Sequence, residues 1–489
     1  MLPRLALLLL AATGFAQIAL YHEPLRPQFH FSPARDWTND PNGLVFFDGE
    51  YHLFFQFNPF GDRWGHMSWG HAVSGDLVHW RELPVALPEE NGVMIFTGST
   101  VVDEHNSSGF CTGGKPCMVA IYTGHTPETK TKPALQTQNI AYSNDRGRTW
   151  TKYAQNPVLD LHMSDFRDPK VFWSERTKRW VMVVAFPNDH KVRFYGSSDL
   201  KHWETLSEFG PAGAASGQWE CPELFEVPLE SKAGRTRWVL KIGLNPGALQ
   251  GGSGEQYFVG QFDGTRFVND NPANVTLWTD YGKDCYCALT FNHLPREQAP
   301  VMLGWMSNWQ YAGDVPTHPW RGQMTVPRKL ALRDTSEGLR LVQAPVDALA
   351  GLRGEWRPDS DSSEMKLEAP LGDAQEIGWK LRTSDDTFTL IGYDREKQEL
   401  FVDRTHSGAT GFSKDFPART AAPLHLKGDI LRLHILTDRS SVEVFADNGL
   451  IAMTNLIFPP PGVRKVEPYS KGGKSGAIQM KIWALKSIW

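Results

Sequence analysis

Apolar residues along this chain fall into short runs of roughly four to eight, many alternating with polar ones. Gly, Pro, Asn and Asp separate the runs, and no sustained helical period appears. The pattern predicts strands joined by turns. Asp40-Pro41 leads into the strand "LVFF" (44–47), the turn "DGE" and the strand "YHLFFQF" (51–57). Asp168-Pro169 leads into "VFW", the turn "SERTK" and "WVMVVAF" (180–186). Glu220-Cys221-Pro222 leads into "LFEV", a longer turn and "WVLKIGL" (238–244).

A second pattern overlaps the first. "AVSGDLVHW", "AYSNDRGRTW" and "YGSSDLKHW", ending at Trp80, Trp150 and Trp203, each give a strand, a Ser/Asp turn and a Trp. Two weaker units cover about 95–150 and about 284–330. Five units of roughly 40–70 residues predict the blades of a β-propeller, four strands to a blade. In that fold the first strand of each blade lines the central channel. Asp40, Asp168 and Glu220 then meet at one mouth of it. Clustered carboxylates raise one another's pKa, so the arrangement points to chemistry.

Beyond about residue 350 the texture changes. "GEWRPDSDSSE" reads as a polar linker, and alternating strands follow from "MKLEAPL" to "AIQMKIWAL", with a hairpin turn at Asn448-Gly449. The expected organisation is all-β: a leader over 1–16, a propeller over 25–345 and a β-sandwich over 350–489. The leader follows from "MLPRLALLLLAATGFAQ", in which one Arg precedes an apolar run and small residues end at Ala16. That run falls short of the roughly 20 residues a membrane helix needs, so export without membrane anchoring is expected.

With 50 Lys and Arg against 55 Asp and Glu, the net charge of −5 gives no basic stripe for nucleic acid. The 18 Trp fit either sugar-stacking surfaces or aromatic-rich β cores. Of the five Cys, Cys111 and Cys117 flank "TGGKP" and can close a small disulfide ring. Cys285 and Cys287 share a strand face and pair poorly with each other. No Cys/His spacing suggests a metal site, so no metal or cofactor is expected. Asn106 and Asn274 begin glycosylation sequons.

Two carboxylates flanking a glycosidic bond suffice to hydrolyse it. The amides of Asn39 and Asn42 are placed to keep Asp40 ionised, and Arg167 to keep Asp168 ionised. Glu220, between Trp219 and Cys221, has an apolar setting that suits a proton donor.

"WTNDPNG", "FRDPKVF" and "WECPELF", in this order, resemble the three signature motifs of glycoside hydrolase family 32, which includes invertases, inulinases and levanases. "GWMSNWQYAGDVPTHPWRGQMTVPRKL" and "DRSSVEVFADNG" extend the resemblance over most of the chain, closest to the exo-acting levanase and exo-inulinase type. The resemblance implies a five-bladed propeller plus sandwich and a retaining β-fructofuranosidase acting on levan, inulin or sucrose. It makes Asp40 the nucleophile, Glu220 the acid/base and Asp168 the transition-state stabiliser. Asn39, Gln56, Trp64, Phe96, Thr97, Arg167, Asp284 and Trp309 become the sugar-binding set. His66, His71 and His79 are expected to be structural. Two departures stand out: Thr38 replaces a common Met, and "DCYCAL" replaces Asp-Phe-Tyr-Ala, which is expected to loosen that blade or add redox sensitivity. A fructosyltransferase, or a fructan-binding protein without activity, would share these motifs; the presence of all three acids argues against the latter.

Overall fold

The computed structural model describes residues 20–232, 234–462 and 464–489. The proposed leader lies outside them. Five antiparallel sheets, each built on a four-strand meander, follow one another in the chain. Their inner strands are Asp36–Phe47 (blade I), Met94–Asp103 (II), Arg167–Ser174 (III), Gln218–Pro228 (IV) and Tyr286–Thr290 (V). Each inner strand neighbours the next, and blade V returns to blade I. Phe46 N–H donates to the Asn292 carbonyl across that closure (3.0 Å), and Trp320–Arg321 adds a parallel strand to the edge of blade I. Residues 353–485 form a six-stranded and a five-stranded sheet, with Trp379, Ile391, Val402 and Ile435 in the core between them.

The Ser/Asp/Trp repeat has a local cause. It turns the third strand into the fourth in blades I, II and III. Ser74, Ser143 and Ser197 each bond the following Asp, and Asp76, Asp145 and Asp199 accept backbone N–H groups further round the turn. His66 and His79 pair with Glu89 and Asp76, while buried His71 stacks between Phe54 and His52.

All five inner strands carry the same irregularity at their heads. Two residues oppose one: Asn39 and Asp40 in blade I, Phe96 and Thr97 in II, Asp168 and Pro169 in III, Cys221 and Pro222 in IV, Cys287 and Ala288 in V. A bulge leaves its extra residue out of the ladder and re-aims side chains. It also tolerates a proline, which has no N–H to give, and this accounts for Pro169 and Pro222; Pro41 comes directly after the blade I bulge, opposite Phe55. Gly43 sits in a second register shift of the blade I strand, between Asn42 and Val45: its φ is +54°, and a Cβ there would lie 2.6 Å from Thr100 Oγ1.

Propeller and sandwich share a buried polar seam. Arg328 bonds Asp280 (2.9 Å) and Glu443 (2.6 Å). Arg404 pairs with Asp284, and Gly282 lies so close to the Thr454 backbone that no Cβ fits. His30 reaches both Asp438 (2.8 Å) and Glu443 (2.9 Å). Burial alone would lower its pKa, but these two carboxylates outweigh burial and raise it to about 9.

A folded-state value above the unfolded one of 6.5 gives stability that is complete below pH 6.5 and lost as pH rises through about 9. His30→Gln should therefore lower Tm most at pH 6 and least above pH 9. The term is worth about 3 kcal/mol. A difference in Tm that is constant with pH would contradict it.

Candidate active site

The three acids come from three blades and meet in one network. Asp40 is 8% exposed, and its Oδ2 accepts from Thr97 Oγ1 of blade II at 2.7 Å. Asp168 sits in its bulge with φ of 65°, a left-handed conformation uncommon for Asp. Its backbone N–H donates to Thr123 Oγ1 (3.0 Å), and its Oδ2 accepts the Cys221 N–H of blade IV (2.9 Å). Glu220 is the most open, with a side chain 18% exposed. Its Oε1 accepts from Arg167 Nη2 at 3.0 Å, and its Oε2 accepts from the Tyr286 hydroxyl of blade V.

Several expectations about this environment change. Glu220 is not in an apolar setting; a guanidinium and a phenol hold it. Arg167 turns its fork onto Glu220, Asp165 (2.8 Å) and Gln218 (2.7 Å) rather than onto Asp168. Burial raises Asp168 to about 6, with the Arg167 charge opposing and the Glu220 charge adding. Burial, then the charge of Asp168, pushes Asp40 to about 7, while bonds from Thr97 and Asn39 pull it back. Asn42 does not serve Asp40. In the orientation that satisfies both its atoms, its amide spans Pro41 and Gln56.

Most of the expected sugar-binding set surrounds these acids. Asn39 precedes Asp40, and its Oδ1 accepts from Trp37 Nε1 (2.8 Å); Trp37 in turn stacks on Trp309, with centroids 6.0 Å apart. Gln56 faces the blade I bulge and donates to the Ile95 carbonyl (3.0 Å). Phe96, beside Thr97, stacks on His125 and meets Trp64 edge to face at 6.1 Å. Trp64 is 47% exposed, which leaves an apolar face on the rim.

Asp284 is the exception. It is 0% exposed, with Oδ1 taken by the Tyr311 hydroxyl and Oδ2 by Arg404 and the Leu456 N–H. Its carboxylate belongs to the seam with the sandwich, so the expected sugar contact is not met.

The cysteines meet expectation at one pair and depart from it at another. Cys111 and Cys117 are bridged. Cys287 does not loosen blade V; it forms a second disulfide with Cys221 of blade IV. Cys285 is a free thiol buried beside Val239, Tyr257 and Ala288. Asp40, Cys221 and Cys287 bring potential ligand atoms together, but the two sulfurs bond each other, so the group does not fit a metal. Tyr286, Gln218 and Asp165 escape the sequence reading. Tyr286 was visible only as a retained residue in "DCYCAL", and nothing in a linear pattern pairs it with Glu220.

A propeller that gathers two or more carboxylates in a mouth rimmed by aromatic side chains is the architecture of a glycoside hydrolase. The N-terminal domain of glycosyl hydrolases family 32 matches residues 30–345, and that family's C-terminal domain matches 330–484. The chain is 46% identical to a levanase of Bacillus subtilis, over 97% of this chain and 72% of that protein. It is 41% identical to an extracellular exo-inulinase of Aspergillus awamori, over 96% of each. The crystal structure of the A. awamori exo-inulinase superposes with a TM-score of 0.90 at 40% identity, covering 96% of this chain and 100% of that one. The chain belongs to glycosyl hydrolase family 32. Among the described residues no helix is long and apolar enough to cross a membrane.

Proposed function

We propose that this enzyme is an exo-acting, retaining β-fructofuranosidase that removes terminal fructose from levan, inulin or sucrose. The observation that carries the reading is the meeting of Asp40, Asp168 and Glu220 at the bulged heads of three inner strands. Asp40 attacks the anomeric carbon while Glu220 gives its proton to the departing oxygen. A fructosyl ester on Asp40 results. Glu220, now a carboxylate, takes a proton from water, which attacks the same carbon and releases fructose and Asp40. Arg167 and Tyr286 hold the Glu220 carboxyl while it changes charge. Asp168, placed by the Cys221 N–H, binds sugar hydroxyls and stabilises the developing positive charge.

The names of the relatives, levanase and exo-inulinase, support the substrate class. Export through the leader at 1–16 is supported by the extracellular exo-inulinases. Chromatography of early products tests the reading: levan and inulin should yield free fructose first. Early release of longer oligosaccharides would contradict exo action, and longer fructosyl products from sucrose would favour transfer.

A pH profile tests the coupling of the acids. Asp40 must be ionised to attack, and the charge of Asp168 helps hold its pKa near 7. The pair titrates as a unit. Asp168→Asn removes a negative neighbour and so lowers the pKa of Asp40. The acidic limb of residual kcat/KM should move to lower pH; a limb that stays or moves upward would contradict the coupling.

A further inference from the structure

We propose that the Cys221–Cys287 disulfide is a positioning device for the acids, holding the catalytic heads of blades IV and V in register. The proposal rests on the assignment of the acids given above. Cys221 follows Glu220, and Cys287 follows Tyr286. The bridge therefore runs beside the hydrogen bond from Tyr286 to Glu220, a covalent rung next to a polar one. Both cysteines lie in bulges, with φ of 46° and 44°, in the left-handed region that residues with a Cβ seldom adopt. A cross-link between two such residues fixes backbone that would otherwise relax toward commoner conformations.

Cys221 reaches all three acids. It is the chain neighbour of Glu220, its N–H holds Asp168 at 2.9 Å, and its Sγ lies 3.8 Å from Asp40 Oδ2. A disulfide sulfur carries no proton, so the last is a packing contact that adds no hydrogen bond to those Asp40 accepts from Thr97 and Asn39. Both cysteines are buried, at 3% and 0% exposure, which shields the bridge from reductants in solution. The bridge also hides chemistry. With the bridge closed, its two sulfurs and an Asp40 carboxylate oxygen lie within 4.8 Å of one another, so opening it would leave two thiols beside that carboxylate, a set suited to a soft cation.

The test uses Cys285→Ala as the parent, so that no other free thiol is present. Cys287→Ala in that parent should lower kcat by about 10- to 100-fold, the scale of a small misplacement of reacting groups, with KM changed far less. The pH profile of kcat/KM should shift, because the Cys221 N–H no longer holds Asp168 as firmly. Micromolar mercury(II) should inhibit Cys287→Ala through the freed Cys221 thiol and leave the parent active. Replacing both Cys221 and Cys287 by Ala should abolish mercury sensitivity while kcat stays low, which separates positioning from thiol chemistry. If both variants keep the parent's kcat and pH profile and differ only in Tm, the bridge is a staple for stability and the proposal is overturned. Should the variants not fold, a folded parent that also carries Cys111→Ser and Cys117→Ser, and so keeps no disulfide but Cys221–Cys287, can be held in excess phosphine until the buried bridge opens, and its thiols counted. Two thiols with full kcat overturn the proposal; two thiols with lowered kcat support it. A parent with no activity on β-fructosides would overturn the assignment of the acids instead.

Discussion

Glu220→Gln is expected to slow release of fructose from sucrose or inulin by roughly 10²–10⁴-fold, the usual worth of general acid–base catalysis. The loss should depend on the leaving group. A sugar alkoxide leaves poorly without a proton, whereas an activated aryl fructoside needs none. On the aryl substrate the first step should survive in the variant, and added azide should restore the second by attacking without a base. The geometry supports this separation: Glu220 is the most exposed of the three acids, and both its oxygens are held by donors, Arg167 and Tyr286. Asp168→Asn should damage both substrates alike, because its carboxylate faces the Cys221 N–H and not Tyr286 or Arg167. Equal losses in Glu220→Gln without azide rescue would remove it from the acid/base role. A leaving-group-dependent loss in Asp168→Asn would make Asp168 the better candidate.

Asp40→Asn should cost more still, on the order of 10⁴–10⁶-fold in kcat, as loss of a nucleophile does when the rest of the site still binds substrate. The side chain is nearly isosteric and sits in a buried pocket, so Thr97 keeps a partner and the fold should persist. Neither an activated leaving group nor a change of pH should recover the rate, since no carboxylate remains to form the ester. Activity within tenfold of the unmodified enzyme, on any substrate, would rule out covalent catalysis by Asp40. Circular dichroism and Tm on the same sample separate lost chemistry from lost fold.

The blades were legible because each repeats a pattern with a mechanism. The Ser/Asp turn before Trp80, Trp150 and Trp203 closes the same corner three times. The prolines after Asp40, Asp168 and Glu220 lie in a bulge or directly after one, and that is visible in sequence once proline's missing donor is considered. What stayed hidden depends on contacts between blades or between domains. Arg167 lies next to Asp168 in the chain, yet its fork crosses to Glu220 of the next blade. Asp284 matches a family position, but its partners, Arg404 and Leu456, come from the sandwich more than a hundred residues away. Cys221 and Cys287 are 66 residues apart, and their pairing follows only from the adjacency of two bulges.

Retention at the anomeric carbon is the central claim, and trapping with methanol reads it most directly. A fructosyl–Asp40 ester made from a β-linked fructan has inverted once, and attack by methanol inverts it again. Nuclear magnetic resonance of the early products should therefore show methyl β-D-fructofuranoside, which does not mutarotate as free fructose does. Methyl α-D-fructofuranoside as the early product would mean a single displacement and would contradict the assignment of Asp40 as nucleophile.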